Sequence, residues 1–273
     1  MRKILFAIFS MVFLFSMVSL YNIYTEYKEG EDSYSEISNV TQLETPETIE
    51  EVEVLQPSVD EIIEEDKETI KYQIVPLATM QVNWEELPDT VCGWIKVEGQ
   101  EVIDYPVVQS EDNSYYLNHL YDGTSNKNGS IFVDYRNDGF GNRHVILYGH
   151  NMKNGAMFAS IKDYQKQEYA DEHSLIYIGL PDGTTAVYKV FSCFLTSADG
   201  EEDYSAYQVS FDGAEWDEWL TKTTEKSLID MGIEIPNKCN ILTLSTCMSR
   251  GDKLERCVVH AVQIKNEKRL VID

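Results

Sequence analysis

Basic residues are scarce in this 273-residue chain: 22 Lys and Arg stand against 47 Asp and Glu, a net charge of −25. Phosphate backbones are held by basic surfaces, so this balance speaks against nucleic acid as a partner. Cysteines are few, five in all, an odd set without a C-x-x-C pair. At least one thiol is therefore unpaired within a monomer, and a domain of this length does not depend on disulfide staples. No acidic cluster has the spacing of a calcium loop, so neither a metal nor another cofactor is expected. Internal repeats are absent too, which excludes solenoids and propeller arrays.

What is present begins with Met1-Arg2-Lys3 and then Ile4–Tyr24, 21 residues without a charge. As a helix this run is roughly 31 Å long, matching a hydrocarbon core of about 30 Å. Positive charge before it and acid after it predict a cytoplasmic N-terminus and an extracytoplasmic remainder. A cleaved signal peptide competes with this reading, but its apolar core spans only about 7–15 residues and no A-x-A site is evident. From Glu26 to Ile70, sixteen acidic residues face two lysines, −14 of the total −25. Such a stretch reads as a solvated, self-repelling spacer. The predicted organisation is a membrane-spanning signal anchor over 1–25, an acidic extracytoplasmic stalk over 26–71 and a folded domain over 72–273.

Within that domain, 17 Tyr and 10 Phe in the whole chain favour strands over helices. Strands are expected at Cys92–Val97, Val102–Val108, Ser130–Tyr135, His144–Tyr148, Ser174–Gly179, Thr185–Phe194, Ile241–Thr246 and Cys257–Ala261. Pro106 marks the second as an edge strand. Val82–Leu87, Ala156–Asp163 and Trp216–Met231 read as helical. About eight strands with turns every 8–12 residues predict a mainly β fold, a closed barrel or sandwich with peripheral helices.

Two polar clusters stand at predicted strand ends. Cys247 closes the run Thr243-Leu-Ser-Thr-Cys247, and alternation puts Thr243, Ser245 and Cys247 on one face with Leu242 and Leu244 on the other. Arg256 opens the next strand beyond the polar loop Met248–Glu255, so a thiol and a guanidinium meet at one rim. His150, in Tyr148-Gly-His-Asn-Met152, follows another strand and is flanked by turn-forming residues. An imidazole can relay a proton between a thiol and a leaving amine, and a guanidinium can face the oxyanion of an attacked amide. The bland alternatives stand beside this reading. Cysteines are common in buried strands, His119, His144, His173 and His260 are equally available as structural histidines, and Arg256 could pair with Asp252 or Glu255. Arg250 is a rival for the arginine role.

These residues carry a resemblance. The segment from Thr243 to Cys247, with Arg256 nine residues on opening R-C-V-V-H-A, resembles the signature of sortases. The run Tyr148–Ile161 is similar to the histidine segment of class B sortases. So are Gly93-Trp-Ile-Lys-Val97, Ile103-Asp-Tyr-Pro-Val-Val-Gln109, Asn113-Ser-Tyr-Tyr-Leu117 and Gly129-Ser-Ile-Phe-Val-Asp134. The similarity covers about residues 80–265. It implies a sortase-type closed β-barrel and a membrane-anchored cysteine transpeptidase of monoderm bacteria. That enzyme would cleave the Thr–X bond of a C-terminal sorting signal and pass the surface protein to a peptidoglycan precursor amine. By position the nucleophile falls on Cys247, the acid/base on His150 and the stabilising arginine on Arg256. Ser245 would line the sorting-signal groove, and Thr246, Tyr148 and Asn151 are further candidate substrate contacts. The loop Met248–Glu255 is short for a class B enzyme. Two other classes remain as alternatives: another cell-wall cysteine peptidase or amidase, though no S-H-G-C segment is present, and a membrane-tethered β-barrel binding module.

Overall fold

The structure is a computed structural model that describes residues 2–44, 50–55, 69–75, 77–99, 103–197, 206–236, 238–250, 253–265 and 267–270. Eight strands close into a barrel: β1 (Val91–Val97), β2 (Asp104–Gln109), β3 (Ile131–Val133), β4 (His144–Tyr148), β5 (Leu175–Gly179), β6 (Thr185–Ser197), β7 (Ile241–Arg250) and β8 (Lys253–Ile264). Their order around the barrel is β6-β8-β7-β4-β3-β2-β1-β5. The interior is filled by alternate side chains. Leu242, Leu244, Val259 and Ala261 from the β7–β8 pair meet Ile95, Val107, Ile131 and Leu147 in one continuous buried cluster. Cutting any of these buried leucines or isoleucines down to alanine costs on the order of 2–5 kcal/mol.

Two pairings are parallel, β2 with β3 and β4 with β7. Parallel neighbours need a long crossover, and everything from Gly149 to Asn240 serves as that connection for β4 and β7. The consequence is local: the C-terminal end of β4 lies beside the middle of β7, with Tyr148 opposite Ser245. The expected edge character of the second strand is corrected here. β2 is interior, paired with β1 on one side and β3 on the other. Pairing with β3 starts at Val107, past Pro106, so the missing N–H costs no ladder bond on that side.

Cys247 and Arg256 also sit differently from the sequence reading. Neither is at a strand end: β7 continues to Arg250 and β8 starts at Lys253, leaving only residues 251 and 252 between the paired ends. The polar run Met248–Glu255 is thus mostly ladder, Met248–Arg250 pairing with Lys253–Glu255. The expected helix at Ala156–Asp163 is a 3₁₀ segment, Ala159–Gln165. The later helix is α3, Gly213–Glu225, which starts on an Asp212/Glu215 capping box and stops short of Met231. It stops because the chain turns back to the barrel, where the Leu228 amide donates to the Cys193 carbonyl at 2.8 Å. Between the 3₁₀ segment and β5 lies the short α2, Gln167–Glu172.

The N-terminal helix α1 runs unbroken from Arg2 to Ile37. Its first half holds an 18-residue window of mean hydropathy 2.3 that no other described residue covers, long and apolar enough to cross a membrane. The second half departs from the solvated-spacer reading of 26–71. Gly30 and Tyr34 are buried and Ile37 half-buried, a spacing that makes one helix face, while Glu29, Glu31, Asp32 and Glu36 point to solvent. That face docks on the loop before β3. Asn126 donates to the Glu26 carbonyl at 2.8 Å and Asn128 to the Tyr27 carbonyl at 3.1 Å. Beyond the helix, Thr41–Glu44 pairs with Thr79–Val82, and Glu50–Leu55, Thr69–Val75 and Glu267–Leu270 form a separate three-stranded sheet. The rest of the expected stalk, 45–49 and 56–68, lies outside the described residues. Three apolar or small positions among so many acids are too few to stand out in composition, which is why this docking was not legible in the sequence.

Candidate active site

The hairpin register puts Cys247 directly opposite Arg256. Side chains of such a pair share a face with Cβ atoms about 4.5–5.5 Å apart, so the nine-residue spacing in sequence becomes a direct contact. Arg256 Nη1 donates to Cys247 Sγ at 2.8 Å. Both residues are half-buried, with enough exposure for a reactant to arrive.

His150 is set by the loop that leaves β4. The Gly149 amide extends the ladder by donating to the Ser245 carbonyl at 3.2 Å, and Thr246 Oγ1 donates to the Gly149 carbonyl at 2.8 Å. Only glycine fits at 149, because a Cβ there would stand 2.7 Å from the Phe158 ring. The loop then closes on itself. The Phe158 amide donates to the His150 carbonyl at 2.9 Å, and Asn151 bridges to Met157. Met157 takes φ +57, a left-handed conformation that non-glycine residues rarely adopt. His150 Nε2 lies 2.7 Å from the Leu117 carbonyl oxygen. A carbonyl only accepts, so Nε2 carries the proton and Nδ1 is the free acceptor of the neutral ring.

His150, Cys247 and Arg256 line one cavity of about 260 Å³, together with Tyr148, Tyr207 and Arg136. Asn113, Leu117, Phe132 and Gly149 complete it. Beneath the site, buried Asp134 accepts hydrogen bonds from Arg136 Nε at 2.9 Å, from Arg136 Nη2 and the Tyr148 hydroxyl at 2.8 Å, and from Asn113 Nδ2 at 3.1 Å. Burial pushes the Asp134 carboxyl up, but the Arg136 guanidinium and amide, with the Tyr148 hydroxyl, outweigh it and hold the group below its ordinary value. Burial, then the neighbouring Asp134 charge, raises the Tyr148 phenol well above its usual range. Arg136 also donates to the Tyr207 carbonyl at 2.9 Å, tying the segment before α3 to the opposite wall. The Tyr207 hydroxyl meets Ser245 Oγ at 3.1 Å, and burial pushes that phenol up to about 12.

Of the residues singled out from sequence, the structure brings His150, Cys247, Arg256 and Tyr148 to one cavity and sets the others around it. Asn151 donates to the Cys247 carbonyl at 2.9 Å and lines a neighbouring cavity against α1. Ser245 is fully buried behind Tyr207, and Thr246 is buried in the barrel wall; neither lines the cavity. The shared face of Thr243, Ser245 and Cys247 is therefore open only at its cysteine end, the rest being roofed by the segment around Tyr207 and α3. Arg250 pairs with Lys253 three positions past Cys247, about 10 Å farther along the strand. His144 and His260 are wholly buried under α3. His144 is spanned by the Gln208 carbonyl and Thr243 Oγ1, and burial lowers it to about 4. Asp134, Arg136 and Tyr207 were missed. The first two lie within or beside the Gly129–Asp134 motif, but nothing local says that a carboxylate there is buried. Tyr207 reaches the site from 38 positions away. Among the described residues, no three His, Cys, Asp or Glu side chains gather as a metal site.

A closed eight-stranded barrel with a thiol, an imidazole and a guanidinium at one rim cavity defines a class, the cysteine-dependent acyl-transfer enzymes of the sortase fold. Residues 95–264 match the sortase domain. Sortase B of Listeria monocytogenes is 33% identical over 172 residues, covering 62% of this chain and 67% of its own length. The structure of sortase B from Bacillus anthracis in complex with AAEK1 superposes with TM-score 0.65 at 28% identity, covering 89% of this chain and 99% of that one. The Staphylococcus aureus sortase B–substrate complex gives TM-score 0.59 at 32% identity, covering 66% and 82%. The chain belongs to the sortase family. Within that family it stands with the class B enzymes and is a cysteine transpeptidase.

Proposed function

We propose that Cys247 is the nucleophile, His150 the acid/base and Arg256 the stabilising cation in cleavage of a sorting signal's Thr–X bond. The observation that carries this reading is the 2.8 Å contact between Arg256 Nη1 and Cys247 Sγ on a cavity shared with His150. The Cys247 thiol passes its proton to His150 Nδ1, and the resulting thiolate adds to the threonine carbonyl carbon. The carbonyl π pair moves to oxygen, and the Arg256 guanidinium beside the sulfur offers N–H donors to that oxyanion. Collapse expels the X amine, which takes a proton from the imidazolium form of His150, leaving a Cys247 thioester. A peptidoglycan precursor amine then attacks the thioester and gives its proton to His150. The sulfur leaves as thiolate, and the surface protein is joined through a new amide.

The substrate follows from kinship: a sortase B of Staphylococcus aureus is described as a substrate complex, and class B resemblance implies a C-terminal sorting signal. Ser245 acts through Tyr207 on the cavity wall, Tyr148 contacts the peptide, and Asn151 and Thr246 hold the backbone beneath it. The apolar half of α1 anchors the enzyme as a single-pass signal anchor over 1–25, N-terminus inside, with 72–273 as the extracytoplasmic catalytic domain. Cys247→Ala should abolish cleavage of a quenched sorting peptide while muropeptides stay untouched by either form. Retained cleavage, or muropeptide hydrolysis by the parent enzyme, would sink the assignment. A mature N-terminus near residue 25 on membrane-extracted protein would remove the anchor.

A further inference from the structure

Two chains of contact start from one pair of tyrosine rings and end on the two reacting residues. Tyr34, on the docked half of α1, meets Tyr105 of β2 edge-on, with ring centroids 5.2 Å apart. Its hydroxyl donates to the Gly129 carbonyl at 2.6 Å and lies 3.0 Å from Ser130 Oγ. Gly129 has φ +60, and a Cβ there would stand 2.7 Å from the Tyr116 carbonyl oxygen and 3.1 Å from His150 Cδ2. This segment therefore packs under the imidazole whose Nε2 is bound by Leu117, and Tyr34 bolts it from behind. The second chain leads to the thiol. Tyr105 Oη accepts the Met157 amide at 3.2 Å, holding the one non-glycine residue of positive φ among those described. Met157 bridges to Asn151, and Asn151 Nδ2 donates to the Cys247 carbonyl at 2.9 Å.

We propose that Tyr34 and Tyr105 are positioning residues for the transfer reaction, setting His150 through Gly129 and Cys247 through Met157 and Asn151. The helix that reaches the domain from the membrane side is on this reading part of the catalytic framework. The proposal rests on His150 and Cys247 being the acid/base and the nucleophile. Neither tyrosine lines the cavity shared by those residues, so loss of a hydroxyl leaves peptide binding alone and acts on alignment. Displacement of reacting groups by about 1 Å costs up to about 10²-fold in rate.

The test uses the full-length chain in detergent micelles, with Tyr34→Phe and Tyr105→Phe, which keep the rings and remove the hydroxyls. Cys247 is titrated with an alkylating probe, so that rates are counted per folded site. The expected result is a fall in kcat of about tenfold for each variant with KM within about twofold of the parent. A kcat per titrated site within twofold of the parent would overturn the proposal, whether or not the melting temperature falls. So would a rise in KM alone. His150→Ala is run alongside: if it keeps cleaving, the assignment of the acid/base has failed, whatever the tyrosines show.

Discussion

Replacing Arg256 with lysine keeps the charge and removes the planar fork. Cross-strand pairing opposite Cys247 leaves the Cβ atoms about 5 Å apart, so a lysine ammonium can still reach the sulfur. It cannot hold the sulfur with one nitrogen while presenting a second fixed N–H edge to the oxyanion, as the guanidinium can from its 2.8 Å contact. Losing one preorganised oxyanion donor costs about 10²–10³ in kcat, roughly 3–4 kcal/mol of barrier. Arg256→Lys should therefore cleave a quenched sorting peptide with kcat down about 10²-fold and KM little changed. Arg256→Ala should be lower again. Alkylation of Cys247 in the same samples confirms that the sites are folded and reactive. A lysine variant within threefold of the parent would refute the reasoning, as would Arg250→Ala proving the more damaging change.

Two further outcomes concern the frame around the site. Asp134→Asn removes a buried carboxylate that accepts hydrogen bonds from Arg136, Tyr148 and Asn113 and should destabilise by about 1–3 kcal/mol, read from denaturant midpoints. In the parent, the lowered folded-state value of Asp134 means that its contribution is present above the ordinary carboxylate range and is lost as pH falls through the folded value. The variant should lack that part of the acid dependence, and identical pH slopes would contradict it. His260 is buried with neither ring nitrogen hydrogen-bonded, and burial, then the nearby His144, holds it well below its ordinary value. Unfolded chains take up that proton below about pH 6.5 while the native state does not, so stability falls as pH drops through this window. His260→Leu should melt higher than the parent, with a wider gap at pH 5 than at pH 7.5. A gap that does not widen would refute the titration argument.

Parts of this molecule were legible because they are local. Strand β4 matched its expected ends, since His144–Tyr148 is a short apolar run between turns. The β7–β8 hairpin was legible as strand, turn, strand, but its polar middle masked the extent of pairing, and alternation alone could not say that Cys247 lies within the ladder. The edge reading of Pro106 failed because a proline's tolerance depends on where the neighbouring strand begins to pair. Ser245 read as a groove residue because nothing within ten positions discloses the Tyr207 that covers it. The same limit hid the Asp134 network, whose partners Asn113, Arg136, Tyr148 and Tyr207 span 94 positions of sequence.

The sequence by itself placed the candidate reactive groups: a thiol nine residues before an arginine in a strand–turn–strand pattern, and a histidine between glycine and asparagine after a strand. Those relations are set by turn geometry and strand periodicity, which act over a few residues. Only the tertiary structure decided that His150 and Cys247 line one cavity, because that depends on the parallel pairing of β4 with β7 across a crossover of some ninety residues. It also decided that the acidic segment after the apolar helix docks on the barrel, where Gly30 and Tyr34 find a complementary surface. Burial of this kind arises from the shape of two distant segments meeting, and neither segment carries it alone.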